Sequence, residues 1–214
     1  MPVPKGASLD PAQTRATILG AATRLLYERG IDGIGVAELC AAVGASKETL
    51  YRHFGSKDGL VQAVLEARSD RVVRWLREAA DSAGEDPAEQ LAAVFDALGR
   101  WYAEPGFRGC AIVNAAAQRH DGGSRAVAAR HLGRHLQLLT GIARRAGAAD
   151  PDRLGKQLLA LVEGATVLAD HYAGTGADDG ANDGAEDGAD TGAAGLAKHA
   201  ALALLRQETA PASS

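Results

Sequence analysis

Residues 33–60 read Gly33-Ile-Gly-Val-Ala-Glu-Leu-Cys-Ala-Ala-Val-Gly44-Ala-Ser46-Lys-Glu-Thr-Leu-Tyr-Arg-His-Phe54-Gly-Ser56-Lys-Asp-Gly-Leu60, and this stretch decides the fold. Val36, Leu39, Ala42 and Val43 recur at helical spacing, which predicts a short helix with one apolar face. Gly44 ends it, because glycine tolerates the left-handed backbone of a sharp turn, and Ser46 is placed to cap the free amides of a second helix. That helix is predicted from Lys47 to about Phe54. Leu50 and Phe54 face inward, leaving Lys47, Thr49, Tyr51, Arg52 and His53 outside. The pattern is a helix-turn-helix. Cations, a hydroxyl, an aromatic ring and an imidazole on one short helix suit a major groove, where bases offer donors and acceptors and phosphates offer charge.

The run Val-Gly-Ala-Ser-Lys-Glu-Thr-Leu-Tyr-Arg-His-Phe-Gly-Ser-Lys-Asp-Gly-Leu resembles the signature of the tetracycline-repressor (TetR) family of bacterial transcriptional regulators. In that family a Gly-Val-Ser turn precedes a Thr-Leu-Tyr-x-x-Phe recognition helix, and Ser-Lys-Glu-x-Leu opens the next one. The resemblance covers roughly residues 12–65. Two positions depart from the pattern: Gly35 stands where Thr or Ser is usual, and Leu39-Cys40 where Ile-Ala is usual. Glycine still serves at an N-cap, but it lacks a hydroxyl for a phosphate.

Outward from this stretch, the chain marks its own helix starts. Asp10-Pro11-Ala12-Gln13 places Asp at an N-cap, Pro at the first helical position and Gln three residues on, and the device returns at Asp86-Pro87-Ala88-Glu89 and, in part, at Asp150-Pro151-Asp152. The first helix carries an apolar stripe of Ile18, Ala21, Ala22, Leu25 and Leu26, stopped by Gly30. Ser56 caps a long fourth helix running to about Ala80, with Lys57 near its start placed for a phosphate. The resemblance implies that this helix joins a DNA-reading domain to a regulatory domain.

Further helices are predicted from Pro87 to about Glu104, over the small-residue segment Arg108–Ala117, from Ser124 to Ala146, from Pro151 to about Tyr172 and from Ala193 to about Gln207. The stripe on residues 151–172 is wider than one partner helix covers. We read the excess, Leu158, Leu161, Val162, Ala165 and Leu168, with Leu204 and Leu205 of the last helix, as a dimer surface; a seam of two helices from each subunit is what the resemblance implies. Residues 174–192 repeat Gly-Ala-x-Asp without a basic or large apolar residue and read as a solvated loop.

The expected fold class is therefore all-α, with an N-terminal three-helix helix-turn-helix domain and a C-terminal helical ligand-binding and dimerisation domain. The boundaries are a 1–10 arm, 11–55 reader, 56–80 connecting helix, 85–207 regulatory domain and 208–214 tail.

Composition agrees. The 214 residues carry a net charge of −4, but residues 1–80 hold eleven Lys and Arg against nine Asp and Glu, and residues 171–214 hold two against seven. The acidity lies in the tail, and salt screens it from the recognition helix beyond about 8–10 Å. No apolar run approaches the roughly 20 residues of a membrane span. The start lacks a signal-peptide core, so cytoplasmic residence is expected. Two cysteines, Cys40 and Cys110, are expected as reduced thiols.

For DNA, the candidate contacts are Ser46, Lys47, Thr49, Tyr51, Arg52, His53 and Lys57. For a small-molecule inducer, the candidates are Trp101, Tyr102, Cys110, Asn114, Gln118, Glu163, Thr166 and Tyr172, polar or aromatic groups on helices otherwise built of Ala and Leu. His131 and His135, four residues apart, have the spacing of a helical metal pair. Solvated or partly buried histidines are the commoner outcome, and no metal or other cofactor is assigned. Cys110 with His120 lacks a third orienting group, so no catalytic residues are assigned. The expected partners are an operator duplex, an unidentified inducer and a second copy of the chain. The competing readings are a dimeric DNA binder without inducer and an enzyme domain tethered to a DNA reader.

Overall fold

In the computed structural model, which describes residues 10–30, 34–119, 122–172 and 192–210, the capping signals act as the chemistry of free helix ends requires. Asp10 accepts from the amide of Ala12 at 3.1 Å and starts α1, Pro11–Arg29. Gly44, left-handed at φ 67°, ends α2, Val36–Val43. Ser46 Oγ accepts from the Thr49 amide at 3.1 Å and starts α3, Lys47–Phe54. Ser56 Oγ accepts from Gly59 at 3.0 Å at the head of α4, Lys57–Ser82. Asp86 accepts from Ala88 at 2.8 Å to begin α5, Pro87–Tyr102. Then come α6, Ala111–Gln118, and α7, Gly122–Arg145. Asp150 accepts from the Arg153 amide at 3.0 Å at the start of α8, Pro151–Tyr172. The last described helix is α9, Ala193–Thr209, two residues longer than its apolar pattern. Its end is held by Glu208, whose carboxylate receives Arg153 at 2.8 and 2.9 Å. The loop expected at 174–192 lies almost wholly outside the described residues.

The chain forms two compact units, Met1–Asp70 with Ala111–Ala128, and Arg71–Cys110 with Ala129–Ser214. In this division α6 and the head of α7 group with the first unit, whereas the sequence reading set them within 85–207. Arg119, just past α6, reaches Asp58 of α4 at 2.9 Å, a bond between segments far apart in sequence that periodicity does not reveal.

In the first unit α1, α2 and α3 pack around Ile18, Ala22, Leu39, Val43 and Leu50, all buried. Ala42, expected on the inner face, is exposed. The junction of α3 and α4 is tight. A Cβ on Gly59 would fall 2.0 Å from the carbonyl oxygen of Phe54.

In the second unit α9 packs along α5 and α8, and the core is built from Leu91, Val94, Phe95, Leu98, Leu139, Ile142, Leu154 and Leu158. Truncating a ring such as Phe95 to alanine costs about 3–5 kcal/mol. α7 and α8 approach closely at Gly155, where a Cβ would meet Thr140 Oγ1 at 2.1 Å. Buried Gln90 is satisfied on both sides, donating to the Gly84 carbonyl and accepting from Arg145, each at 2.6 Å.

The proposed dimer stripe divides in two. Leu158, Val162, Ala165 and Leu205 are buried inside this chain, so they have no area left for a second copy. The reason is that α9 lies on α8 within the same chain and covers that side of the stripe. Leu161 and Leu204 are half-buried, whereas Leu168 belongs to an exposed set with Val167, Tyr172 and Leu196, at 47–68% exposure.

Candidate nucleic-acid interface

The face of α3 opposite Leu50 is set by two turns of backbone chemistry: the Gly44 reversal before it and the Ser46 cap at its head. Ser46 Oγ also lies 2.9 Å from Thr49 Oγ1, so these two hydroxyls are tied to the helix start and Thr49 is half-buried. Lys47 and Arg52 are exposed, and Tyr51 is 37% exposed. The Lys47 ammonium stands over the Tyr51 ring, 5.5 Å from its centre. Arg52 donates to Glu48 at 2.6 Å across one helical turn. Such an exposed pair contributes only about 0.3–0.5 kcal/mol, less than a charge-assisted contact to phosphate or guanine returns. His53 is half-buried beside Phe54, ring centres 6.2 Å apart, and Arg15 of α1 covers the Phe54 ring at 5.1 Å. Lys57 is half-buried in the first turn of α4. Gly35 caps α2 without a side-chain bond, as its lack of a hydroxyl requires.

The surface carries Lys47, Tyr51 and Arg52 forward, with Ser46 and Thr49 occupied in the cap. Arg29 at the end of α1 and Glu38 of α2 form an ion pair. Neither Arg29 nor Arg15 was among the sequence candidates, because both sit on a helix whose pattern shows only its own apolar stripe.

The inducer candidates fall apart by unit. Asn114 and Gln118 are on α6 in the first unit, and Gln118 is exposed. In the second unit the Tyr102 hydroxyl lies 2.8 Å from Thr166 Oγ1, which in turn donates to the Val162 carbonyl at 2.8 Å. Burial pushes the Tyr102 phenol well above its usual range; the hydrogen bond with Thr166 opposes this and the charge of Glu163 adds to it. Burial likewise raises the Glu163 carboxyl. Trp101 packs against Tyr102 and Phe107, a ring the helical reading passed over because it follows the Pro105-Gly106 turn. Tyr172 is exposed and lines a cleft of about 800 Å³ with Tyr102, Arg100, Leu168 and Leu196.

Cys110 Sγ lies 3.7 Å from Nε2 of His131. His120, the partner weighed from sequence, is outside the described residues. His131 and His135 are both buried, with ring centres 4.2 Å apart. Both nitrogens of His135 lack a hydrogen-bond partner among the described residues, and burial lowers its pKa to about 4, helped by the charge of Arg134. Among the described residues no three His, Cys, Asp or Glu side chains are grouped to hold a metal ion.

Comparison with known proteins agrees with this architecture. Residues 18–64, from within α1 to the first turns of α4, match the family model for bacterial regulatory proteins of the tetR family. The HTH-type transcriptional activator FasR of Mycolicibacterium smegmatis is 33% identical over 90 residues, 42% of this chain and 41% of that protein. The HTH-type transcriptional repressor Rv3405c of Mycobacterium tuberculosis is 34% identical over 88 residues, 41% of this chain and 44% of that protein. The chain thus matches less than half the length of these curated relatives. Solved structures extend the likeness. A TetR-family transcriptional regulator from Streptomyces coelicolor superposes with a TM-score of 0.74 at 26% identity, covering 93% of this chain and 97% of the other. A protein from Streptomyces avermitilis described as a tetR-transcriptional regulator gives a TM-score of 0.66 at 33% identity, over 78% of this chain and 92% of its own. With its capped recognition helix, its all-helical second unit and these relatives, the chain belongs to the TetR family of bacterial regulatory proteins.

Proposed function

We propose that the protein is a homodimeric, DNA-binding transcriptional regulator, acting in the cytoplasm as a repressor that a small molecule releases from a near-palindromic operator. The observation that carries the reading is α3 itself: Leu50 anchors it, Ser46 caps it, and Lys47, Tyr51 and Arg52 project from one face. Lys47 and Lys57 act as point charges on phosphates, Tyr51 reaches a phosphate or a thymine methyl, and Arg52, once it leaves Glu48, reaches a base edge or the adjoining backbone. His53, half-buried, supports the helix end. Ser46 and Thr49 fix the start of the reader and offer their remaining lone pairs and protons to the backbone.

One reader per chain needs a second copy to span a site. Val167, Leu168 and Tyr172 on α8 and Leu196 on α9 form the exposed apolar set that favours self-association, with half-buried Leu161 and Leu204 at its margin. A twofold pair of readers asks for half-sites about one helical turn apart or a little more. Effector binding belongs to the second unit, where Tyr102, Thr166 and Glu163 place polar groups among apolar helices. Only an effector that binds the released form more tightly than the DNA-bound form shifts the balance.

Selection of duplexes from a random pool, with and without cell extract, tests this. Enrichment of a near-palindrome, reduced by a low-molecular-weight fraction of the extract, supports the reading. A dimer that enriches the palindrome but ignores every small molecule supports the inducer-free alternative, and absence of any enriched sequence refutes both.

A further inference from the structure

The arginines of α1 are held in different ways. Arg29, at its end, pairs with Glu38 of α2. Arg24 is exposed on the side of α1 opposite the buried Ile18, Ala22 and Leu26. Arg15 stands on the buried line itself, one turn before Ile18 and two before Ala22. It is nevertheless exposed, as are Pro11, Ala12 and Gln13 in the same first turn. Its guanidinium covers the ring of Phe54, the last residue of α3, with Cζ 5.1 Å from the ring centre.

A phenylalanine ring offers a π face and no acceptor atom, so Phe54 holds this cation without satisfying any of its N–H donors. Among the described residues Arg15 meets no carboxylate and no other acceptor. Arg52 and Arg119 differ, since they commit donors to Glu48 at 2.6 Å and to Asp58 at 2.9 Å. A side chain held beforehand gives up less freedom when it binds, so the ring prepares the Arg15 donors for an acceptor from outside. The head of α3 repeats the arrangement, with Lys47 over Tyr51 at 5.5 Å. The eight residues of α3 make a rod about 12 Å long, close to the width of a major groove. Ring-held cations stand at both of its ends.

Resting on the reading of α3 as the part that meets DNA, we propose that Arg15 is a further DNA-binding residue, supplied from outside the α2–α3 pair: Phe54 holds its guanidinium, and a backbone phosphate of the duplex accepts from it. Phosphate oxygens match the planar donor set of arginine and fill the role that Phe54 leaves open. Every nucleotide carries the same phosphate, so the contact adds affinity without a preference among sequences.

Anisotropy titrations of the full chain test this, on a duplex it selects and on a scrambled one, over a range of salt. Arg15→Met keeps an apolar cover on Phe54 and removes the charge. At low salt it should bind both duplexes about five- to ten-fold more weakly, with the slope of log affinity against log salt smaller by about one. The ratio between the two duplexes should not change. Arg15→Gln, a second neutral variant, should do the same, so the test does not hang on the folding of one protein. Arg15→Lys should keep the slope, and Arg24→Met, on the far side of α1, should stay within about two-fold of the unaltered protein. An unchanged slope in a folded neutral variant, or an equal loss in Arg24→Met, would overturn the proposal. So would a loss confined to the selected duplex, which would make Arg15 a support for the shape of α3. If the neutral variants bind as the unaltered protein does, the Arg15 assignment fails and the reading of α3 stands. If the unaltered protein binds no duplex, both fail.

Discussion

Arg52 is bound to Glu48 of its own helix at 2.6 Å, and both side chains are largely in solvent. The Glu precedes the Arg by one turn, the favourable order for such a pair, so the contact steadies a helix of only eight residues. In the proposed function it also withholds the guanidinium from DNA and keeps a negative charge on the face of α3 that would meet the duplex. Glu48→Gln is expected to raise operator affinity about two- to ten-fold at low salt, with the gain shrinking as salt rises. Fluorescence anisotropy with a labelled operator measures it. An affinity that falls in the variant would show that Glu48 itself touches a base.

The α3–α4 junction makes a second prediction. With a Cβ at Gly59 only 2.0 Å from the Phe54 carbonyl oxygen, and backbone on both sides of the clash, Gly59→Ala has no flexible group to displace. A loss of about 1–3 kcal/mol in stability follows, with a matching loss of DNA binding as α3 shifts. Thermal unfolding and anisotropy together check this. Gly20→Ala, inside α1, is the control, since a Cβ there meets nothing within 4 Å.

A third concerns pH. His135 is 6% exposed and its pKa is lowered to about 4, against an ordinary value of 6.5, because burial disfavours the charged ring. The unfolded chain therefore binds this proton first. Stability from His135 is complete above about pH 6.5 and declines as the pH falls toward 4, by about 3 kcal/mol if no other group intervenes. Glu163 acts in the opposite sense: its raised carboxyl holds a proton better in the fold, so its effect favours the fold at low pH and is lost as pH rises through the raised value. His135→Leu should remove most of the decline between pH 6.5 and 4, read from urea unfolding at several pH values. A decline of the same size in the variant would assign it elsewhere.

The fourth prediction separates folding from assembly. Leu196 is exposed at 60% and Val167 at 57%. Charged replacements at either, Leu196→Glu or Val167→Glu, should leave the melting temperature within a few degrees while shifting the protein from dimer to monomer in sedimentation and weakening operator binding by about 100-fold or more. Leu158→Glu should instead unfold the second unit, because that side chain is wholly inside.

The contrast between Leu158 and Leu196 shows where sequence reading stops. Helix starts were legible, because Asp10, Ser46, Ser56, Asp86 and Asp150 each act through a local hydrogen bond. The bounds of α3 were legible for the same reason. Which side of the α8 stripe faces inward was not, since periodicity gives a face but not the helix that covers it, and α9 lies well beyond α8 in the sequence. The Arg119 to Asp58 bond, which ties the end of α6 to α4, and the meeting of Trp75, Trp101 and Phe107 depend on how helices cross, and no local spacing encodes that. Arg52 was legible as a polar outward residue, while its engagement by Glu48 needed side-chain geometry.

In the proposed function the exposed face of α3 reads duplex DNA. Its most direct test is the binding of Tyr51→Ala and of the unaltered protein to a duplex selected by the latter, at several salt concentrations. Tyr51 is at the surface, so the variant should fold normally by circular dichroism. Steeply salt-dependent, sequence-selective binding by the unaltered protein and a loss of about ten-fold or more in the variant are expected. Equal binding by the two proteins, or no preference of the unaltered protein among duplexes, would contradict it.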